Sequence, residues 1–149
     1  METLFETTSV NKILTRIEML TPVTPRRWGK MNVAQMMAHC AECMEIAMGN
    51  KKMQRSFIGR IIGPMLKQKI LDENPLDRNL PTDKDMLIVG PKDFAQEKQR
   101  LMANVKRFAT ACRQGIPKHT HPFFGKMTTE EWARSACKHL DHHLQQFGA

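Results

Sequence analysis

The stretch Thr128-Thr129-Glu130-Glu131-Trp132-Ala133-Arg134-Ser135-Ala136-Cys137-Lys138-His139-Leu140-Asp141-His142-His143-Leu144-Gln145-Gln146-Phe147 decides how this chain is read. Thr128 can cap a helix while Glu131, three residues on, reaches back, and Gly148 follows as a stop. On an ideal helix of about 100° per residue, Trp132, Ala133, Ala136, Cys137, Leu140, Leu144 and Phe147 form an apolar stripe about 140° wide. His143 falls inside that stripe and His139 just beyond its edge. His142 points about 155° from the stripe centre, into solvent on this geometry. Neutral imidazole is the commonest metal ligand and the usual proton carrier near neutral pH. The cluster Lys138-His139-Leu140-Asp141-His142-His143 therefore splits into an inward pair, His139 and His143, and an outer histidine. One helix cannot close a metal site with two ligands, so a third must be sought.

Four more helical segments precede this one. The first runs from about Ser9 to Leu20, with Ile13, Leu14, Ile17 and Leu20 at helical spacing, and Pro22 and Pro25 end it. The second runs from Asn32 to about Met48. Asn32 and Gln35 make a capping-box pair, and Gly49-Asn50 marks the stop. A third, about Ser56 to Leu71, carries Gly59, Gly63 and Pro64, which predicts a kink or break near the proline. The stretch from Asp72 to Pro91, rich in Asn, Pro and Asp, reads as a long loop. Its apolar patch, Met86 to Val89, is too short for a sheet. The fourth helix is read from about Pro91 to Cys112, with Phe94, Leu101, Val105 and Phe108 along one side. A loop from Gln114 to Met127 leads to the last. The pattern is all-α: one domain over residues 1–149, a mostly antiparallel helical bundle.

Composition agrees with that class. A chain of 149 residues can bury one sizeable core. Twelve Met and no Tyr favour helices over sheets, because Met is a strong helix former and a pliable core filler. The formal charge of +8 suggests nucleic acid or an acidic surface as partner. The basic residues are dispersed, however, and no basic segment is interleaved with aromatics that could stack on bases. A solvated basic surface is the plainer reading, and nucleic acid is not the expected partner. The N-terminal METLFETTSV lacks the charged start and apolar stretch of a signal peptide. The most apolar segment, Phe57 to Leu66, is broken by Arg60 and Pro64 and is too short to span a bilayer. Four Cys without a mark of export read as reduced thiols, and the expected location is cytoplasmic.

The best candidate for the third ligand is His39, since metal sites inside bundles draw on facing helices. It lies about 110° from the centre of the stripe made by Val33, Met36, Met37, Cys40, Met44 and Ala47, at the flank of its helix. A lone flank histidine is ordinarily a hydrogen-bonded surface residue; only the pair on the last helix promotes it. For that pair alone, metal binding and a satisfied core pair are equally open. Cys40-Ala41-Glu42-Cys43 has the gap of a zinc knuckle but no second pair, and reads as helix interior with small apolar thiols. His119 and His121 sit in a loop, where histidines are usually just exposed; His121, held before Pro122, is the more constrained. His121 and His142 stand as additional or alternative ligands. No phosphate loop, nucleophile elbow or HExxH motif occurs.

Two blocks carry a family resemblance. Trp28-Gly29-Lys30-Met31-Asn32-Val33-Ala34-Gln35-Met36-Met37-Ala38-His39 resembles the second helix of the DinB/YfiT-like superfamily. The block from His121-Pro122-Phe123-Phe124-Gly125 through Trp132 to Phe147 resembles its last helix. The wording of both is closest to a bacterial branch filed as a domain of unknown function, of the 1569 type. The resemblance spans most of the chain. It implies a four-helix bundle of DinB-like type with an extra short or kinked helix and long loops. It further implies a divalent metal, nickel or zinc, held by His39, His139 and His143, and a homodimer. Characterised relatives include transferases and isomerases dependent on low-molecular-weight thiols such as bacillithiol or mycothiol, although the branch itself has no established reaction. Three imidazoles leave positions for water or a substrate atom, as catalytic sites do. The expectation is a metal-dependent enzyme acting on a small molecule, with a thiol-dependent transferase or isomerase as the reaction type. The rival is a non-enzymatic basic protein that binds nucleic acid or a protein partner.

Overall fold

The computed structural model describes residues 2–54, 57–78, 80, 84–116 and 118–149. Side-chain caps set where most helices begin. α1 spans Thr7–Glu18, starting two residues earlier than the spacing of Ile13 and Ile17 alone predicts. α2 spans Val33–Ala47 and opens on the expected capping box. The Gln35 amide donates to Asn32 Oδ1 at 2.8 Å and the Asn32 amide donates to Gln35 Oε1 at 3.0 Å. α4 spans Phe94–Arg113, not from Pro91, because the Asp93 carboxylate accepts from the Gln96 amide at 2.7 Å and fixes the start there. α5 spans Thr129–Gln146 and has its capping box in place between Thr128 and Glu131.

α3 spans Phe57–Leu71 and differs from expectation. Its anticipated first residue, Ser56, lies outside the described residues. The helix runs through Pro64 without a break: the proline removes one backbone donor, and the neighbouring turns hold. The loop that follows, of which residues 79 and 81–83 lie outside the described set, forms a short 3-10 turn at Lys84–Met86. No strand occurs among the described residues; His121 and Gly125 make an isolated antiparallel bridge.

α1, α2, α4 and α5 share one core, with α2 against α4 as its main seam. Ile13, Ile17, Met36, Met37, Leu101, Val105, Phe108, Leu140 and Leu144 are fully enclosed in it. Asn104, buried in the seam, donates to the Ala41 carbonyl at 3.2 Å and fixes the register of α4 on α2. No residue of α2 is exposed, since α4, α5 and the 3-10 turn cover its sides. That enclosure decides the position of His39.

Among the described residues, α3 packs on α5 and on no other helix. Polar anchors hold it there: Lys67 pairs with Glu131 at 2.9 Å, and Lys138 donates to the Asp72 carboxylate at 2.7 Å and to the Asp72 carbonyl at 3.0 Å. Its outer side shows Phe57, Ile61 and Met65 to solvent. Its inner side approaches the loop 121–125 so closely that a Cβ on Gly63 would overlap the Phe123 carbonyl oxygen. Gly63 is therefore required by contact, although glycine weakens a helix. Gly63→Ala is expected to destabilise the fold by about 1–3 kcal/mol, the usual effect of overpacking. Urea unfolding measures it, and an unchanged midpoint would mean that α3 does not dock on this loop.

Candidate metal centre

Three imidazole nitrogens converge between α2 and α5. His39 Nε2 lies 3.2 Å from His139 Nε2, and His143 Nε2 lies 3.1 Å from the same atom. His139 and His143 are one turn apart on α5, which places both rings over the same patch. His39 reaches them from α2. It is 5% exposed, because the 3-10 turn covers the helix flank on which phasing places it.

Hydrogen bonds fix the proton positions. His39 Nδ1 lies 3.1 Å from the Met86 carbonyl, which can only accept, so Nδ1 carries the proton. Gln146 donates through Nε2 to the Trp28 carbonyl at 2.8 Å, which turns its Oε1 toward His143 Nδ1 at 2.9 Å. His143 Nδ1 is likewise the donor. Both Nε2 atoms are thus bare lone pairs aimed at His139 Nε2. A neutral His139 can place at most one proton between them, so one of the two lone pairs is left with only a weak donor, the Cys43 thiol 3.8 Å from His39 Nε2.

Extra protonation does not resolve the conflict. Burial drives all three imidazoles toward the neutral form. His143 is pushed down to about 3, by burial first and then by its neighbours His39 and His142. His139 lies well below the ordinary 6.5, again through burial and then through His143 and His39. His39 is lowered by burial and drawn partly back by its bond to Met86. A divalent cation would accept all three lone pairs at once. Two of the three nitrogen separations, 3.2 and 3.1 Å on either side of His139, sit close to the edge of about 3.3 Å expected for a tetrahedron with bonds of about 2.0–2.1 Å. The outer N–H of two ligands already meets an oxygen, as metal-bound histidines require. The residues present fit a metal.

The triad lies on a cavity of about 910 Å³ lined chiefly by apolar side chains, including Trp28, Met31, Ile70, Leu76, Phe124 and Trp132. His142 departs from its expected place in solvent. It is half-buried, its ring 5.7 Å from Trp28 and 5.3 Å from His143, and it bonds the Leu76 backbone. His121 lines the cavity too, but its Nδ1 accepts from the Phe123 and Phe124 amides at 3.1 Å each, so that nitrogen closes the loop. His119 is exposed, with its ring on Trp132. The structure brings His39, His139 and His143 together and leaves His119, His121 and His142 around them.

Four participants were not read from the sequence. Met86 and Gln146 orient two of the rings. Gly29, at φ +79°, lets Gln146 pack where a Cβ would collide with its amide nitrogen. Cys43 is the fourth: read as ordinary helix interior, it borders the cavity with Sγ 3.8 Å from His39 Nε2. The ligand atoms of His39, Cys43 and His139 lie within 4.8 Å of one another, as do those of Cys40, His139 and His143. A group of this kind could hold a metal ion. The i+4 spacing of His39 and Cys43 was the available signal.

Neutral buried histidines make stability depend on pH. Below about 6.5 the unfolded chain takes up protons that folded His143 refuses until about 3, so stability is lost as pH falls through that window. The metal-free protein should show a urea midpoint that drops steadily from pH 7 to pH 4, and His143→Asn should flatten the drop. Parallel pH curves for both proteins would contradict a buried neutral imidazole.

Comparison with known proteins adds a family. Residues 2–149 match the family described as protein of unknown function DUF1569. No curated protein and no solved structure matches the chain significantly. The match covers nearly the whole chain and with it both helices of the histidine cluster: the protein belongs to the DUF1569 family.

Proposed function

We propose that this protein is a divalent-metal-dependent enzyme of DinB-like type. His39, His139 and His143 hold nickel or zinc, and the cavity above them receives a small molecule. One observation carries this reading: two imidazole lone pairs of fixed tautomer converge on a third neutral imidazole, an arrangement that one imidazole proton and a weak thiol donor satisfy only poorly. The chain's charge of +8 is all that carries the rival reading of a basic binding protein.

When bound, such a metal would lower the pKa of a coordinated water or thiol, or polarise an electrophile. The chain's residues do the remainder. Met86 and Gln146 hold the rings in place, and Trp28, Phe124 and Trp132 give the cavity apolar walls. The apolar lining suits a substrate with a hydrophobic body and one polar end at the histidines. A low-molecular-weight thiol fits as co-substrate in a transfer. Its sulfur would form a bond to an electrophilic carbon of the substrate while the leaving group departs with the electron pair, and the thiol proton passes to solvent.

Protein purified without an affinity tag from zinc- or nickel-supplemented cultures should carry about one equivalent of metal per chain. The His39→Ala/His143→Ala double variant should carry almost none. Wild type without stoichiometric metal would sink the proposal. Gln146→Ala keeps all three ligands and frees only the His143 ring, so metal affinity should fall about 10–100-fold, the usual range for such partners. Competition with a chromophoric chelator reads the change; an unaltered affinity would remove Gln146 from the site.

A further inference from the structure

The donor set extends beyond three imidazoles. α5 offers His139 and His143, four residues apart, and α2 offers His39 and Cys43, also four apart. Each helix therefore turns two donors toward the same space, one turn above the other. Cys43 Sγ stands 3.8 Å from His39 Nε2 and within 4.8 Å of ligand atoms of both His39 and His139. A tetrahedral ion with sulfur at about 2.3 Å and nitrogen at about 2.0–2.1 Å separates those donors by about 3.5 Å. Rotation about the Cys43 side chain closes that difference to His39, and His143 joins the set through His139, 3.1 Å away.

We propose that Cys43 is the fourth ligand, so that two i, i+4 pairs on facing helices make a His39–Cys43–His139–His143 site for a divalent transition-metal ion. This rests on the three-histidine reading and adds one donor to it. Ligation replaces the S–H bond of Cys43 with a metal–sulfur bond and releases the thiol proton to solvent. One thiolate among imidazoles selects zinc, cobalt or nickel over magnesium and manganese, which favour oxygen. An entering molecule must then add as a fifth donor or displace the sulfur.

Cys40 is the competitor, since its sulfur also lies within 4.8 Å of donors from His139 and His143. Its thiol points instead toward Met36 Sδ at 3.8 Å, and it is buried among the core residues at 1% exposure. Cys43 is partly exposed and borders the cavity.

Cobalt(II) added to tag-free, metal-stripped protein separates these possibilities, because a thiolate ligand gives a near-ultraviolet sulfur-to-cobalt charge-transfer band and imidazole alone does not. The expected result is one tightly bound cobalt per chain with that band. Cys43→Ala should lose the band and still bind cobalt more weakly, and Cys40→Ala should keep it. Stoichiometric cobalt without the band in wild type overturns the role of Cys43 and leaves the three-histidine site standing. Loss of the band in Cys40→Ala with retention in Cys43→Ala assigns the sulfur to the wrong residue and also overturns it. Failure of the wild type to bind cobalt, zinc or nickel removes both readings.

Discussion

The structure turns on a shortage of strong hydrogen-bond donors at one point. His39 and His143 have each committed their N–H to an oxygen, and their remaining lone pairs face a third neutral ring. Much of the surrounding detail exists to keep that arrangement. The 3-10 turn delivers the Met86 carbonyl, and the Trp28 carbonyl sets the orientation of the Gln146 amide. Gly29 leaves space for that amide in a backbone conformation that a side chain would strain. Such a cluster would be an odd investment for stability alone, because lone pairs facing one another are poorly satisfied in a dry interior.

The helix that supplies two of the rings also organises the rest. In Lys138-His139-Leu140-Asp141-His142-His143 each side chain has its own partner. Lys138 holds the end of α3 through Asp72, Leu140 is core, and Asp141 pairs with Arg16 of α1 at 2.7 Å. His142 sits on Trp28, and the other two histidines face α2. α5 therefore fixes at once the site floor, the α3 wall and the seat of α1. Exposed ion pairs contribute little individually. The Lys138–Asp72 contact differs, because its lysine is largely enclosed, at 9% exposure, and also caps backbone carbonyls.

What could be read in the sequence was local. The capping boxes of α2 and α5 and the i, i+4 histidine pair depend on neighbours within one turn, and single-chain reasoning reaches that far. His39 was found by type and partner, but its burial was not. A stripe argument supposes one dry side per helix, whereas α2 is covered all round. The same supposition sent His142 into solvent, where Trp28 and the segment at Leu76 in fact lie against it. Cys43, four residues from His39, lay within local reach, whereas Met86 meets His39 across 47 positions and Gln146 meets Trp28 across 118, and no local rule reports these. At Pro64 the local rule allowed a kink or a break; the helix is continuous there, held on α5 through Lys67 and Asp72.

The charges around the cavity bear on what could react there. No carboxylate is among its lining residues in the described set, whereas Lys30 and Lys69 are. The nearby acids are already committed: Glu42 to Lys51 and Arg100, Glu131 to Lys67, Asp72 to Lys138 and Asp141 to Arg16. A divalent ion held by neutral imidazoles would keep its full charge, and with one thiolate added it would keep a net single positive charge. In an apolar enclosure that field is weakly screened. It would therefore draw the anionic end of a ligand, a thiolate or a developing oxyanion, to the histidines while the lining accepts the apolar remainder. Acidic ligands of the kind that hold magnesium would have cancelled this field. A lining of histidines, lysines and apolar side chains is the setting that the proposed activation of a soft, anionic nucleophile beside a hydrophobic substrate would require.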